Sequence, residues 1–263
     1  MSRAQLLTAT ILTGALLLAG GCASHPPAPR QVSAHSPCNR LAPAKPAPAE
    51  IDQRRTPLYH YAICYPQLGA DAGKLMPALR GWADRQREAF LKIADRPRPQ
   101  PWTYELLIDF RVVARGEGFV SVLARGYAYT GGAHGMPLLA GFTLAGDRVV
   151  RHPDALFTEP RQARATLSAY ARKILGQRAA GGDTAWCFKD KSWLRKGSAP
   201  DAMNYAIATF IGANDYASGL RIYFTPYQIA PYACGVQTAD VPANVFRRWL
   251  KPGYRTLFAE PND

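Results

Sequence analysis

Acidic residues are scarce in this 263-residue sequence: 19 Asp plus Glu stand against 32 Lys plus Arg, a formal charge of +13. That imbalance biases any partner toward negative charge. Long hydrophobic runs are lacking as well. The main apolar stretch, residues 6–18, is interrupted by Thr, Ala and Gly and is too short for a permanent membrane span. Cysteine is sparse, five in all, with no two at zinc-ligand spacing. The five histidines, His25, His35, His60, His134 and His152, are scattered, so neither metal nor cofactor is expected. Short catalytic signatures are missing: no Gly-x-Ser-x-Gly elbow, no His-Glu-x-x-His helix, no Ser-x-x-Lys and no phosphate loop. A hydrolase with an unfamiliar site is therefore the weakest of three functional readings. What is present is 48% hydrophobic residues, enough for one sizeable core or two small ones.

Arg3 and the apolar stretch have the form of a secretory signal over residues 1–21, running through Leu18-Ala19-Gly20-Gly21 into Cys22. This resembles the lipobox of bacterial lipoproteins, which implies that Cys22 is acylated and becomes the new N-terminus. Ala23 in place of Asp implies, by the same resemblance, an outer membrane lipoprotein facing the periplasm. Several acyl chains would anchor it stably, at about 0.8 kcal/mol per buried CH2. Secretion excludes nucleic acid as a partner, and an oxidising periplasm lets Cys38, Cys64, Cys187 and Cys234 pair. Three connectivities are open. Cys38 with Cys64 and Cys187 with Cys234 is favoured, because each pair closes a loop within one half of the chain.

Residues 22–57 read as a lipidated cysteine followed by a tether: eight prolines and seven alanines fall in the 35 residues from Ala23 to Pro57. One α+β binding domain is expected over residues 58–258, with a tail at 259–263. A strand from Leu58 to Tyr65 comes first. Leu75, Leu79, Trp82, Phe90 and Ile93 then recur at helical spacing ahead of Pro97, Pro99 and Pro101. Alternation from Tyr104 to Val112 and a run from Phe119 to Tyr129 predict a hairpin. A shorter hairpin follows around Ala145-Gly146, then a second amphipathic helix carrying Leu167, Ala171 and Leu175 and ending before Gly181-Gly182. Strands at 220–224 and 237–241 and a short helix at 243–250 complete the pattern. Helices not interleaved with strands in βαβ fashion predict a mostly antiparallel sheet packed with two longer helices and a short C-terminal one. Asp109 with Glu105 is a possible acid–base pair, but alternation places both on the outer face of a strand, where solvated charges are expected.

Two segments stand out. Tyr127-Ala128-Tyr129-Thr130-Gly131-Gly132-Ala133-His134-Gly135 puts three glycines around a histidine, which calls for positive φ or close backbone approach. Gly131, Gly132, His134 and Gly135 read first as a structural turn with His134 bonded to backbone, and second as a ligand or catalytic site. The other segment, residues 220–237, is a strand feeding the aromatic-proline run Phe224-Thr225-Pro226-Tyr227-Gln228-Ile229-Ala230-Pro231-Tyr232.

Together with the strand and helix from Tyr59 to Ala94, these segments resemble the domain of unknown function in RsiV-type lysozyme-sensing anti-sigma factors, also found in the non-catalytic part of some peptidoglycan deacetylases. The resemblance implies an α+β, non-enzymatic binding domain at the cell wall. Gly135 stands where that family often has proline after the histidine, and no lysozyme-contacting residue can be carried over.

Charge argues against a lysozyme as partner, since animal lysozymes are basic and like charges oppose docking. Residues 161–196 hold nine Lys or Arg against Asp183 and Asp190, a net +7. Trp186, Phe188 and Trp193 interrupt that run, the composition of an interface hot spot. The candidate partner surface is therefore Trp186, Lys189, Lys191, Trp193, Arg195 and Lys196; the alternative is a solvated loop over core tryptophans. Two binding functions follow. The first is capture and inhibition of a cell-wall hydrolase or toxic effector with an acidic surface, in the manner of a lysozyme inhibitor or immunity protein. The second is binding of peptidoglycan or another envelope polymer.

Overall fold

The structure is a computed structural model that describes Cys38 and residues 47–96, 102–212 and 215–260, all within one unit, residues 34–263. Six strands form a sheet in chain order: β1 (Glu50–Arg55), β2 (Tyr59–Tyr65), β3 (Tyr104–Gly116), β4 (Phe119–Tyr129), β5 (Met136–Ala145) and β6 (Arg148–Val150). Alternation in β3 turns Leu106, Ile108 and Phe110 to one face. There the apolar stripe of α1 (Met76–Ala94), with Leu79, Trp82, Ala83 and Phe90, closes the first core. Trp82 meets Phe110 and Phe142 edge-on, with ring centroids 5.9 and 6.3 Å apart. Each fully buried phenylalanine there contributes roughly 1.5–3 kcal/mol by removal from water.

The second half begins with α2 (Pro160–Ala179), which has proline in its first turn, and ends just before Gly181-Gly182. A short helix, α3 (Lys191–Gly197), follows. Next comes a three-stranded antiparallel sheet of β7 (Ala208–Ile211), β8 (Gly219–Phe224) and β9 (Gln237–Pro242), then the one-turn helices α4 (Ala243–Phe246) and α5 (Pro252–Arg255). Ala163, Leu167, Ala171 and Leu175 of α2 share a second core with Leu220, Ile222, Phe224, Ala239 and Val241. The halves meet through Phe119 and Phe210, whose ring centroids are 5.5 Å apart. A buried polar seam lies beside them. The Phe210 amide donates to Ser121 Oγ at 3.0 Å, and Ser121 Oγ lies 2.6 Å from Thr143 Oγ1, so the groups removed from water are satisfied.

Several expectations are corrected. β1 lies inside the stretch read as tether, so the fold starts before Leu58; Glu50-Ile51-Asp52-Gln53-Arg54-Arg55 lacks an apolar alternation and is held by its ladder to β2. At the other end, the Ala259 amide donates to Ala217 O, which draws the start of the expected tail into the fold. β2 and β3 run parallel with α1 crossing between them, one βαβ unit in a sheet otherwise antiparallel. Asp109 is 3% exposed and accepts from Arg111 Nε at 2.7 Å, while Glu105 is bonded to His60 at 2.6 Å; neither is a solvated charge. The cause is local. Cys64 is the register partner of Asp109, and its disulfide holds the buried Cys38 beside it. Ile93, counted with the apolar stripe, is exposed. The expected helix at 243–250 is α4 followed by a 3-10 turn, Arg247–Trp249. Cys22, the signal segment 1–21 and the prolines at 97, 99 and 101 lie outside the described residues. Among the described residues no helix is long and apolar enough to cross a membrane.

Candidate functional site

The glycine–histidine loop between β4 and β5 adopts the backbone its sequence demands. Gly131 and Gly132 have φ of +97° and +93°. Gly135 is required for a different reason: a Cβ there would sit 2.3 Å from the Tyr127 ring, whose hydroxyl accepts from the Gly135 amide at 3.1 Å. The loop presents His134, which does bond backbone, with Nδ1 3.2 Å from Gly135 O. Its Nε2 lies 3.2 Å from the Tyr227 hydroxyl, and its ring stacks on Tyr232 with centroids 3.8 Å apart. A consistent tautomer donates from Nδ1 to Gly135 O and accepts from Tyr227 at Nε2. With both nitrogens engaged, His134 is built as a positioning element rather than as a free base.

The two segments singled out in the sequence are thus joined in space. The Tyr232 hydroxyl donates to Gly135 O at 2.8 Å, and Tyr227 reaches His134 across 93 residues of chain. Tyr227 has φ +70°, a left-handed conformation costly for a bulky residue, roughly 1–3 kcal/mol, which the surrounding bonds must hold. It is 46% exposed.

α3 brings the third component. The Asp190 carboxylate caps the helix by accepting from the Ser192 and Trp193 amides at 2.8 and 3.2 Å. The Ser192 hydroxyl, followed by those amides, holds the Asp190 carboxyl below its ordinary pKa. Gly197 permits the docking of α3, since a Cβ there would lie 1.7 Å from Gln228 O. Docked in this way, Trp193 donates from Nε1 to Tyr227 O at 2.6 Å, and its ring lies within 14° of parallel to that of Tyr227, centroids 6.4 Å apart. A groove of about 790 Å³ runs along this pair.

The structure separates the members of the expected partner surface. Trp186, 49% exposed, lies on the 3-10 turn Ala185–Phe188; Lys189, Lys191, Arg195 and Lys196 are exposed around α3. Phe188 is buried, whereas neither tryptophan belongs to the core. The Cys187–Cys234 disulfide ties this segment to the Tyr232 turn, and Cys38–Cys64 ties the N-terminal segment to β2. Tyr227 and Tyr232 were not among the expected site residues. Their signal was the aromatic-proline run, but nothing local shows that it closes on His134. Among the described residues no group of three or more His, Cys, Asp or Glu could hold a metal ion.

Residues 53–137 match the family described as deacetylase PdaC, and residues 154–244 match that described as protein of unknown function DUF3298. The His134 loop lies in the first segment and Trp193, Tyr227 and Tyr232 in the second, so the site forms where the two meet. The peptidoglycan-N-acetylmuramic acid deacetylase PdaC of Bacillus subtilis (strain 168) is 26% identical over 199 residues, 74% of this chain but only 40% of that protein. Crystal structures of DUF3298 family proteins are similar at 15% identity. One from Pseudomonas aeruginosa PAO1 has a TM-score of 0.55 over 82% of this chain and 98% of its own, and supports the α+β fold. Another from Bacteroides fragilis has 0.48 over 78% and 94%. The chain thus matches a PdaC model and then a DUF3298 model, an arrangement that resembles part of a peptidoglycan deacetylase.

Proposed function

We propose that this chain is a non-enzymatic binding lipoprotein of the cell envelope, anchored in the outer membrane through Cys22 and facing the periplasm. It captures and inhibits a cell-wall hydrolase or toxic effector that presents an acidic surface. The observation that carries this reading is the convergence of both family segments on an aromatic cluster, the exposed Tyr227 and His134 with the half-buried Trp193, while exposed Lys189, Lys191, Arg195 and Lys196 lie on and just before α3. Rigid aromatics near exposed lysines suit protein recognition: the rings supply contact area, and the charges steer encounter. Several site hydrogen bonds run ring to backbone or ring to ring, which fits a surface preorganised for binding.

Affinity capture from periplasmic and secreted fractions tests the reading. The expected partner is acidic, and its association slows as salt screens charge beyond about 8 Å at physiological ionic strength. Reversing Lys189 and Lys191 to Glu should slow association at low salt. Unchanged kinetics would remove this surface from the proposal. The groove beside Trp193 favours the second reading, a wall polymer as ligand.

A further inference from the structure

The six-stranded sheet ends differently on its two sides. On one side β6 is three residues long, and the stretch of β5 beyond it carries Pro137; shortness and proline both keep an edge from pairing. On the other side β1 is six residues long, keeps an unbroken register with β2 and contains neither proline nor bulge. Its pairing fixes which backbone groups are already used. The Thr56 amide donates to Tyr59 O at 2.8 Å, so in the same phase Glu50, Asp52 and Arg54 bond toward β2, while the amides and carbonyls of Ile51, Gln53 and Arg55 point away from the sheet. Among the described residues no strand pairs with this outer edge and no backbone group bonds to it. The strand is also held from the α1 side. Arg80 donates to both carboxylate oxygens of Glu50, at 3.0 and 2.6 Å, and Arg87 donates to Asp52.

We infer that β1 is a self-complementary edge, on which a second copy of this chain pairs antiparallel about a two-fold axis through Gln53 and continues the sheet. Two-fold symmetry centres the register on a single residue, because only then do paired side chains share a face of the sheet. Of the six possible centres in Glu50-Ile51-Asp52-Gln53-Arg54-Arg55, five oppose like charges: Glu50, Asp52, Arg54 and Arg55 would each face themselves, and centring on Ile51 sets Glu50 against Asp52. Centring on Gln53 opposes none. Asp52 then faces the partner's Arg54, twice by symmetry, and Ile51 faces the stem of the partner's Arg55. The hydrogen-bond phase agrees, since Gln53 is an outward residue and this register brings the outward groups of Ile51, Gln53 and Arg55 onto those of the partner. Both charged groups are open to such a contact. Asp52 Oδ1 meets only the Tyr61 hydroxyl, at 3.3 Å, and Arg54, with its guanidinium 6.0 Å from the Tyr59 ring centroid, forms no salt bridge among the described residues. A parallel copy would set acid on acid and base on base, because the acidic residues precede the basic ones along the strand. A ladder of this length is small beside a standard interface of about 1,600 Å², so the dimer depends on concentration. The inference rests on neither the aromatic cluster nor an external partner.

Cysteine trapping of the full-length chain in cells, under mild oxidation, tests it. Directly opposed residues of a hydrogen-bonded antiparallel pair have Cα atoms about 5.5 Å apart, within disulfide reach. Gln53→Cys should therefore give a covalent dimer on a non-reducing gel, at least tenfold more of it than Arg55→Cys alone. Chains with Ile51→Cys and chains with Arg55→Cys, expressed together, should trap each other. Adding Arg54→Glu to Gln53→Cys sets like charges opposite and should reduce the trapped dimer several-fold. Gln53→Pro tests the ladder without an added thiol. The amide it removes points outward, so the bonds between β1 and β2 survive, and a folding defect in the cysteine variants leaves this one to decide. In detergent the unaltered full-length chain should sediment as a concentration-dependent dimer and the Gln53→Pro chain as a monomer. Three results would overturn the proposal: no trapped dimer with Gln53→Cys, equal trapping by Arg55→Cys alone, or a Gln53→Pro chain that dimerises as the unaltered one does.

Discussion

The two halves of the molecule are built on different principles. In the first, β3 and β4 are long, regular and alternating, and one helix covers their apolar face. In the second, a single long helix shares its core with four-to-six-residue strands, and the intervening chain is made of helical elements of one or two turns pinned by side-chain bonds and a disulfide. The first half supplies rigidity and contributes one loop to the site. The second supplies most of the site's rings, each held by specific bonds rather than by regular structure. Regular secondary structure satisfies its backbone internally, leaving little to present; irregular chain must recruit side chains for that purpose and so creates surfaces of unusual shape.

The contrast can be broken first at the cores. Phe142→Ala in the first core and Phe224→Ala in the second should each cost about 3–5 kcal/mol, read from denaturant midpoints. Because Phe119 packs on Phe210 across the halves, both variants should still unfold in one transition; two separated transitions would show the halves to be independent.

The disulfides come next. In the chain-entropy account, the 26-residue Cys38–Cys64 loop is worth about 3.5 kcal/mol and the 47-residue Cys187–Cys234 loop about 4 kcal/mol. Replacing each pair with alanine should destabilise in that order. Only the Cys187/Cys234 replacement should also raise amide exchange around Tyr232. Loss of protection at Tyr232 in the Cys38/Cys64 variant would blur the distinction.

A smaller effect isolates backbone strain. At Tyr227, glycine should be more stable than alanine by roughly 1–2 kcal/mol, since only the Cβ opposes φ +70°. At Tyr129, in the regular β4, the order should reverse by roughly 0.5–1 kcal/mol. Thermal melts of the four variants measure both.

The smallest expected effect concerns the α3 cap. The folded Asp190 carboxyl is held below its ordinary value of 3.8, so the stabilisation it provides is complete above that pH and is lost as pH falls through the lowered folded value. Tryptophan fluorescence should therefore change near the acid end of the range, and Asp190→Asn, which accepts the same bonds, should remove the step. A step that persists in the variant would place its origin elsewhere.

Legibility followed the same division. The β3–β4 hairpin, α1 and α2 announce themselves because burial of one face imposes a period of 2 or 3.6 on the residues. β1 was hidden, since a polar edge strand has no such period and is held by its neighbour. α3 is not announced by the sequence because seven residues scarcely display a helical repeat, although Asp190 two places before Ser192 is a capping residue. β7, four residues long, left no pattern at all. At the site, the Gly131-Gly132 turn was legible from composition. The positive φ of Tyr227 was not: it follows Pro226 in a turn closed by the Gln228 amide donating to Thr225 O, at the position where glycine, not tyrosine, is the usual signal.

What the sequence by itself determined was therefore local: the α+β composition, the glycine-dependent turn, the concentration of positive charge beside tryptophans, and the two motifs of the family. Tertiary structure alone decided the parallel pairing of β2 with β3, the burial of Asp109, the meeting of His134 with Tyr227 and Tyr232, and that of Tyr227 with Trp193. The physical reason is that periodicity and propensity report each residue's relation to its own element, whereas contacts between distant segments depend on how the elements' buried faces fit once all are formed.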